Sequence, residues 1–241
     1  CLAALRADTA ASHLRIEPIV VDRCGDDVRR AIHEQFPEAS VVAVDRGATI
    51  PAMRALGFGR ASAPAVAVIE DHVIVPVGWA GRMVAALADG ADVVGGGVRN
   101  AAVSTLVDRT AFLCEYSHLL PPQPSGRVDT LTGNNVVYRR TVLERYRATI
   151  DRGHWEDELH AAMRRDGVSL IGRPDIVVAH KMHYRIRDYV AQRFWYARAY
   201  AGMKRESMPP FARAVRSIGS LALPPVLLSR IISRVRRSGS S

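Results

Sequence analysis

The sequence predicts an α/β, Rossmann-like fold with a mostly parallel central sheet flanked by helices, followed by a helical C-terminal tail. Short apolar runs alternate with helical patterns of about ten residues, as in parallel strands joined by helical crossovers. The clearest run, Ala65–Ile69, has five apolar residues in succession and predicts a strand buried on both faces. The chain has 241 residues, 48% of them hydrophobic, which is enough for one large domain with an appendage. The first clear strand comes near residue 16, so we expect an earlier first strand to be missing.

Each element is predicted from a local pattern. Helices are expected where apolar residues recur at helical spacing, and strands where apolar residues run together. The predicted helices cover residues 1–13, 27–36, 50–61, 81–88, 101–119, 141–146, 158–165 and 188–203. The predicted strands cover residues 15–21, 41–44, 65–69, 91–98, 136–140 and 176–179. A proline-rich loop at residues 121–124 is expected to lie over a cleft.

The charge balance predicts an anionic partner, because the net charge is +9 at pH 7. From Lys181 to the C terminus the only acids are Asp188 and Glu206. Aromatic residues make up 6% of the chain and form no stacking platform, and no helix-turn-helix, zinc-finger or RNA-binding signature is found. We therefore expect no nucleic acid partner and favour an anionic membrane surface.

The C-terminal segment predicts how such a membrane would be contacted. Residues 218–232 are apolar but are interrupted by Pro224, Pro225 and Arg230, too short and broken for a span of about 20 residues. An interfacial helix fits better, and a surface helix packed on the domain is the alternative. The arginines expected to face anionic headgroups are Arg230, Arg234, Arg236 and Arg237. Three cysteines in no metal-finger or disulfide spacing predict a reducing compartment, so we expect a cytoplasmic protein, peripheral on the inner face of the cell membrane.

The candidate site begins where the 65–69 strand ends, in Glu70, Asp71 and His72. Charged groups at the carboxyl end of a buried strand lie where open α/β sheets bind ligands. Carboxylate oxygens and an imidazole nitrogen are donors for a divalent cation. The alternative is a strand that simply meets solvent at its charged end.

Four further motifs accompany this triplet: Val20-Val21-Asp22, Arg54-Ala55-Leu56-Gly57, Thr132-Gly133-Asn134-Asn135-Val136 and His154-Trp155-Glu156-Asp157-Glu158-Leu159. In this order and spacing the set resembles the nucleotide-sugar-dependent glycosyltransferases of family 2, which have the GT-A fold, over about residues 15–205. The resemblance implies a GT-A-like domain over residues 1–185, with a nucleotide-sugar half at 1–98 and an acceptor half at 99–185. A basic helical region, expected to contact a membrane, would occupy residues 186–241.

The resemblance implies a divalent metal held near the triplet. The family's Asp-x-Asp motif binds the diphosphate and the metal, and Glu70-Asp71-His72 matches it. Asp71 would be the first metal ligand, His72 a nitrogen ligand, and His180 a further metal or diphosphate contact. A nitrogen ligand favours Mn²⁺ over Mg²⁺ on softness grounds. A lone histidine such as His180 is more often structural, and that alternative stays open.

Two further donor contacts are implied by the resemblance. Asp22 matches the strand-end Asp that contacts the nucleotide base, and a carboxylate accepts an imide N–H. Arg23 and Cys24 stand where the family has Asp and Gly, and a turn or helix cap is the alternative role for Asp22. Arg54 matches the arginine of the Ala-Arg-Asn-x-Gly helix and would contact the diphosphate or a structural carboxylate. A solvated surface position is the alternative for Arg54.

The resemblance also implies the catalytic base. Aligning the family's acidic motif on Leu159 and Gly167 puts the catalytic carboxylate at Glu156, with Asp157 as the second choice. Inverting transfer needs such a carboxylate to take the proton of the acceptor hydroxyl. The alternative is an acidic first helical turn stabilised by the helix dipole.

The Gly133-Asn134-Asn135 run would bring backbone and amide groups close to the sugar or the acceptor, although a turn before a strand is a competing explanation.

Together, the motifs and the resemblance predict a hexosyltransferase-type enzyme of cell-envelope polysaccharide synthesis. It would move sugar from a nucleoside-diphosphate sugar to a saccharide or lipid-linked acceptor hydroxyl, with inversion as in most of the family. A GT-A-like nucleotidyltransferase and a non-catalytic basic binding protein are the alternatives.

Overall fold

The computed structural model describes residues 1–120, 123–153, 155–206 and 208–239, so Pro121, Pro122 and His154 of the predicted motifs lie outside the described residues. The chain divides into two compact units. The first comprises Cys1–Arg99 and Gln123–Ala179, and the second comprises Asn100–Pro122 and His180–Ser241.

Helices and strands alternate along most of the chain. The helices are α1 Leu2–Ser12, α2 Asp26–Gln35, α3 Ile50–Arg60, α4 Trp79–Ala88, α5 Leu106–Tyr116, α6 Arg140–Arg145, α7 Arg147–Asp151, α8 Glu156–Arg165, α9 Ile186–Glu206, α10 Pro210–Gly219 and α11 Leu223–Ser238. The strands are β1 Ile19–Asp22, β2 Ser40–Ala43, β3 Ala65–Ile69, β4 Val73–Ile74, β5 Val93–Asn100, β6 Gly126–Arg127, β7 Asn135–Arg139 and β8 Leu170–His180. The predicted α/β class, with a central sheet, flanking helices and a helical C-terminal region, is confirmed.

The central sheet has the strand order β3-β7-β5-β8-β4, with β6 paired to β8, while β1 and β2 form a separate parallel pair. Strand β7 runs antiparallel to both β3 and β5, so β3 and β5 run in the same direction. In this register Ile69 at the end of β3 is opposite Asn135 at the start of β7. The residues after β3 and the residues before β7 therefore lie at the same edge of the sheet.

Helix α8 packs on this sheet through its buried residues Leu159, His160 and Met163. Val93, Val136, Tyr138 and Met163 are completely buried in one core cluster. The helix begins with three acids and ends with two arginines, which matches the polarity of the helix dipole. Apolar burial thus fixes α8 against β7, and the charged ends favour its observed start and stop.

Helix α1 is attached to the rest of the first unit by a buried carboxylate. Asp8 is fully buried and accepts hydrogen bonds from the backbone N–H groups of Gly78, Trp79 and Ala80. These are donors at the start of α4, which have no partner within their own helix. A residue of α1 therefore caps α4 at a distance of some seventy positions in the sequence.

The C-terminal helices differ from the sequence expectation in extent. A single helical segment at 218–232 was expected, whereas α10 and α11 together cover most of residues 210–238. Pro224 and Pro225 fall in the first turn of α11, where a missing N–H breaks no helical bond, so they do not interrupt the helix as expected. Strand β8 likewise extends well beyond the expected 176–179, because its first half pairs with β6 despite a polar, proline-containing sequence.

The second unit is held together around α5. The carboxylate of Asp108 accepts a hydrogen bond from the Tyr184 N–H and pairs with the ring of His183. These bonds lower the pKa of Asp108 to about 2. Helix α11 contacts the short helical turn after α5, where Arg234 donates to the Ser117 hydroxyl over 3.3 Å.

Candidate functional site

The edge of the sheet where β3 ends and β7 begins carries the candidate site. Asn134 is 1% exposed and donates from its Nδ2 to Glu70 Oε2 over 3.4 Å. Its Oδ1 accepts from the Thr132 hydroxyl over 2.7 Å. The antiparallel register of β3 and β7 brings these residues together, although more than sixty positions separate Glu70 from Asn134 in the sequence.

Arg54 joins two carboxylates of this edge. It lies on α3, forms an ion pair with Glu156 at the start of α8, and reaches Glu70 Oε1 with its Nη2 at 3.5 Å. The Arg54 side chain is 14% exposed and that of Glu156 18%. Limited exposure to water strengthens such a charge pair relative to one at an open surface. Arg54 thus contacts two carboxylates, and its contact with the diphosphate stays a prediction.

Gly133 lies directly against this ion pair. A Cβ atom added at Gly133 would be 2.6 Å from Arg54 Nη1 and 2.8 Å from Glu156 Cδ. Gly133 is not among the glycines with positive φ, so its role is close approach rather than an unusual backbone conformation. The absence of a side chain lets the loop before β7 pass beside the Glu156 carboxylate.

His72 is flanked by two carboxylates. Its Nε2 is 3.1 Å from Glu70 Oε2, and its Nδ1 is 2.9 Å from Asp71 Oδ1. Burial lowers the pKa of His72, but the hydrogen bonds to Asp71 and Glu70 outweigh burial and raise it to about 9. The same contact with His72 lowers the pKa of Asp71. Asp71 itself is 98% exposed, so its carboxylate is open to a ligand from solvent.

Asp22 is buried at the end of β1 and accepts its hydrogen bonds locally. The donors are the N–H groups of Cys24 and Gly25 and the guanidinium of Arg29, the last at 2.8 Å. Burial raises the pKa of Asp22, and these bonds outweigh it and lower the pKa below its usual value. These bonds are those of the turn and cap alternative, and the base contact of Asp22 stays a prediction.

Asn135 lies inside the sheet rather than at its edge. Its Oδ1 accepts from Trp79 Nε1 over 2.9 Å, and its Nδ2 donates to the carbonyl oxygens of Gly97 and Ile176. These bonds use both amide hydrogens, so Asn135 links β7 to β5, β8 and α4. Gly133 and Asn134, by contrast, lie at the edge itself.

The two other predicted residues differ in burial. Asp157 is exposed on the outer side of the first turn of α8. His180 ends β8 and is buried in the second unit, with its ring 4.7 Å from that of Tyr116 and 6.1 Å from that of Phe112. Its role as a metal or diphosphate contact stays a prediction.

Sequence reasoning missed several buried residues that lie next to the proposed base. His160, on α8, is fully buried and its Nε2 is 2.9 Å from the hydroxyl oxygen of Tyr138 on β7. A small pocket beside the Glu156 carboxylate is lined by apolar side chains of α3, α7 and α8, among them Phe58, Ile150 and Leu159. The one available signal was a polar residue, His160, at a helical position that faces the core.

The family assignment follows from comparison with known proteins. Residues 1–147 match the pattern of Glycosyl transferase family 2, so the chain belongs to glycosyl transferase family 2. The resemblance inferred from the motifs is thereby confirmed. A comparison with curated proteins gives no match.

Solved structures of the GT-A fold are similar to this chain at low identity. The mannosyltransferase PcManGT from Pyrobaculum calidifontis, in complex with GDP-Man and Mn²⁺, is 18% identical with a TM-score of 0.50, over 100% of this chain and 72% of that one. TarS 1-349 from S. aureus is 14% identical with a TM-score of 0.54, over 75% of this chain and 56% of that one. GalNAc-T7 with UDP, GalNAc and Mn²⁺ is 11% identical with a TM-score of 0.53, over 69% and 38%. The predicted GT-A-like fold is confirmed, and the chain is a glycosyltransferase by family.

Proposed function

We propose that this chain transfers a sugar from a nucleoside-diphosphate sugar to an acceptor hydroxyl, with inversion and with Glu156 as the general base. The observation that carries the proposal is the convergence of Glu156, Arg54, Gly133 and Glu70 at one edge of the sheet. Single-displacement transfer requires a proton-accepting carboxylate close to a metal site. Here Glu156 would be that carboxylate, and the cluster around Glu70 would hold the metal.

In the proposed reaction the acceptor oxygen attacks the anomeric carbon while its proton passes to the Glu156 carboxylate. The bond from that carbon to the diphosphate oxygen breaks, and its electron pair leaves with the nucleoside diphosphate. The guanidinium of Arg54 favours the ionised form of Glu156, which is the form that accepts a proton. The exposed position of Asp157 supports Glu156 over Asp157 as the base.

A divalent metal fits the donor set at the end of β3. Glu70 places a carboxylate oxygen 3.1 Å from His72 Nε2, and Asp71 places one 2.9 Å from His72 Nδ1, so the proton on His72 now balances two carboxylates. Binding through the His72 nitrogen would release that proton. When bound, the metal would supply charge neutralisation to the departing diphosphate. PcManGT and GalNAc-T7 hold Mn²⁺, which agrees with the ion favoured by a nitrogen ligand.

The remaining predicted contacts complete the donor and acceptor sides. Asn134 and the backbone at Gly133 would bond sugar or acceptor hydroxyls, since they border both Glu70 and Glu156. Asp22 remains the candidate contact for the nucleotide base, and His180 a further contact for the metal or diphosphate. PcManGT and GalNAc-T7 are complexes with GDP-Man and with UDP and GalNAc, so guanine and uracil donors are the first to test.

The decisive experiment measures donor hydrolysis over a panel of UDP- and GDP-sugars with Mn²⁺. Glu156→Gln should lower turnover about 100-fold or more, because it removes the proton acceptor, while leaving donor affinity within about threefold. Asp157→Asn is the matched control, since it removes a neighbouring acid that is exposed, and it should keep wild-type turnover. Wild-type turnover in Glu156→Gln, or its loss only in Asp157→Asn, would reassign the base. Net synthesis of a nucleotide sugar from a nucleoside triphosphate and a sugar phosphate would favour the alternative hypothesis, a nucleotidyltransferase.

We further propose that the C-terminal helices bind the inner face of an anionic membrane, near saccharide or lipid-linked acceptors of the cell envelope. Within the described residues, Pro210–Ser238 is a helical stretch of 29 residues long and apolar enough to cross a membrane by length and composition, with mean hydropathy 1.3 and none of its apolar window buried. Phe211 and Ile218 are 79% and 72% exposed on one side of α10, opposite Arg213 and Arg216. From residue 207 onward the chain has six arginines and no acid. Apolar residues and arginines together support an interfacial helix.

Flotation with lipid vesicles tests the membrane proposal. The protein should float with vesicles that contain phosphatidylglycerol and not with phosphatidylcholine alone. Changing Arg236 and Arg237 to Glu should weaken binding about 30-fold or more, because each basic residue near an anionic surface is worth about 1 kcal/mol. Changing the exposed Arg15 and Arg30 to Glu alters the net charge equally in the first unit and should leave binding intact. Equal loss in both variants would make the attraction non-specific.

A further inference from the structure

His160 links three elements that surround the proposed base. It lies on α8, four positions after Glu156, and its side chain is fully buried. Its Nδ1 is 3.4 Å from the backbone nitrogen of Leu131, and its Nε2 is 2.9 Å from the hydroxyl oxygen of Tyr138 on β7. One imidazole therefore connects α8, β7 and the 128–134 loop that leads into β7.

The bonding pattern defines the form of this ring. A backbone N–H from Leu131 requires an acceptor at Nδ1, so the single ring proton lies on Nε2 and is donated to the Tyr138 oxygen. Burial, together with the charges of Arg164 and Arg54, lowers the pKa of His160 to about 4. The ring is therefore neutral at physiological pH and takes no part in proton transfer. A neutral imidazole is well suited to this position because it has a donor and an acceptor on opposite sides of one rigid ring.

The Leu131 anchor lies two residues before Gly133. The Leu131 side chain packs beside Gly95 of β5, where an added Cβ would be 2.7 Å from Leu131 Cδ2. From this fixed point the chain passes to Gly133, which lies against the Glu156 carboxylate, and to Asn134, which bonds Glu70. The same histidine therefore holds the start of this loop segment and the helix from which the base projects.

We propose that His160 is a positioning residue that sets the spacing between the Glu156 carboxylate and the Gly133–Asn134 backbone. The expected effect of His160 on catalysis rests on the proposed glycosyl transfer. Its structural role rests on its hydrogen bonds to Leu131 and Tyr138. The His160 side chain is fully buried and so does not reach substrate. It acts through the Leu131 amide and through α8, so its removal alters the rate of the chemical step more than the affinity for the donor.

Paired substitutions separate the two ends of the ring. His160→Asn keeps an acceptor near the Nδ1 position for the Leu131 N–H, whereas His160→Gln keeps a donor near the Nε2 position for Tyr138. We expect His160→Gln to lower kcat about 10- to 100-fold with KM for the donor within about twofold, since misplacement of about 1 Å has effects of this size. His160→Asn should recover most of kcat. Tyr138→Phe removes only the other bond, and it should lower thermal stability while keeping most of the turnover.

Peptide-level hydrogen exchange over residues 128–134 gives a readout that needs no activity. Exchange at this loop should accelerate about tenfold or more in His160→Gln and remain close to wild type in His160→Asn. Wild-type exchange in His160→Gln would overturn the inference whatever the kinetics. So would an equal fall of kcat in both variants, which is what a purely structural role predicts. A different outcome separates this inference from the proposed function. If the exchange rates of the variants are as expected but the wild-type protein turns over no donor, the proposed function is contradicted and the positioning role of His160 is retained.

Discussion

Replacing Gly133 with Ala should lower turnover strongly while preserving the fold. The added Cβ would be 2.6 Å from Arg54 Nη1 and 2.8 Å from Glu156 Cδ, whereas ordinary contact begins at 3.4 Å. Relief of the overlap therefore needs shifts of about 0.6 to 0.8 Å in the guanidinium and carboxylate groups. A displacement approaching 1 Å at a reacting group lowers turnover by about 100-fold. Both neighbours are ends of flexible side chains and the φ of Gly133 is acceptable for alanine, so the free energy of unfolding should change by less than about 2 kcal/mol.

Two other glycines provide controls for the Gly133→Ala variant. At Gly47 an added Cβ meets nothing within 4 Å, so Gly47→Ala should keep wild-type turnover and stability. At Gly96 it would overlap the carbonyl oxygen of Ile176 on β8, and Gly96→Ala should lower the free energy of unfolding by at least about 3 kcal/mol. Urea unfolding and donor turnover, measured on all three variants, decide the matter. Wild-type turnover in Gly133→Ala, or instability equal to that of Gly96→Ala, would refute the account of the loop.

Three further predictions concern the metal, the sheet and pH. Chelation by EDTA should abolish donor turnover, and Mn²⁺ should restore it better than Mg²⁺; equal restoration by both ions would contradict a nitrogen ligand at His72. Asn135→Leu leaves Trp79 Nε1 and two strand carbonyls buried without this partner, so urea unfolding should reveal a loss of at least about 2 kcal/mol. For His160, the folded-state pKa of about 4 lies below the model-compound value of 6.5. Above pH 6.5 the ring is neutral in both states, and as pH falls toward 4 only the unfolded chain gains the proton. The wild type should therefore lose about 2 kcal/mol of stability between pH 6.5 and 5 relative to His160→Asn, and parallel curves would contradict the buried neutral ring.

The elements that the sequence predicted well are those with a strong local pattern. Strand β3 was predicted at its observed bounds because a continuous apolar run ends abruptly in charged residues. The start of α8 was predicted later than observed, at residue 158 rather than Glu156, because charged residues carry no apolar period. The two prolines of α11 misled the prediction of the tail, since a proline in the first turn and a proline inside a helix look alike until the helix start is known.

The candidate site was predictable as a set of motifs but not as a set of contacts. The carboxylates near β3 and α8 were identified from their order and spacing, which the family shares. The partner of Glu156 was not identified, because the pairing of Arg54 with Glu156 depends on how α3 and α8 pack. The burial of Asn135 was also invisible, since adjacent residues of a strand point to opposite faces and the sequence does not state which face meets the core.

Asp8 accepts hydrogen bonds from the start of α4, and through them the first dozen residues help to stabilise the sheet. Trp79, whose N–H bonds Asp8, also donates its indole N–H to Asn135, which in turn fixes the carbonyls of β5 and β8. Deleting the chain up to residue 13 would therefore do more than shorten a helix, because it would uncap α4 and loosen the indole that braces three strands. An expression design for this enzyme should accordingly retain α1.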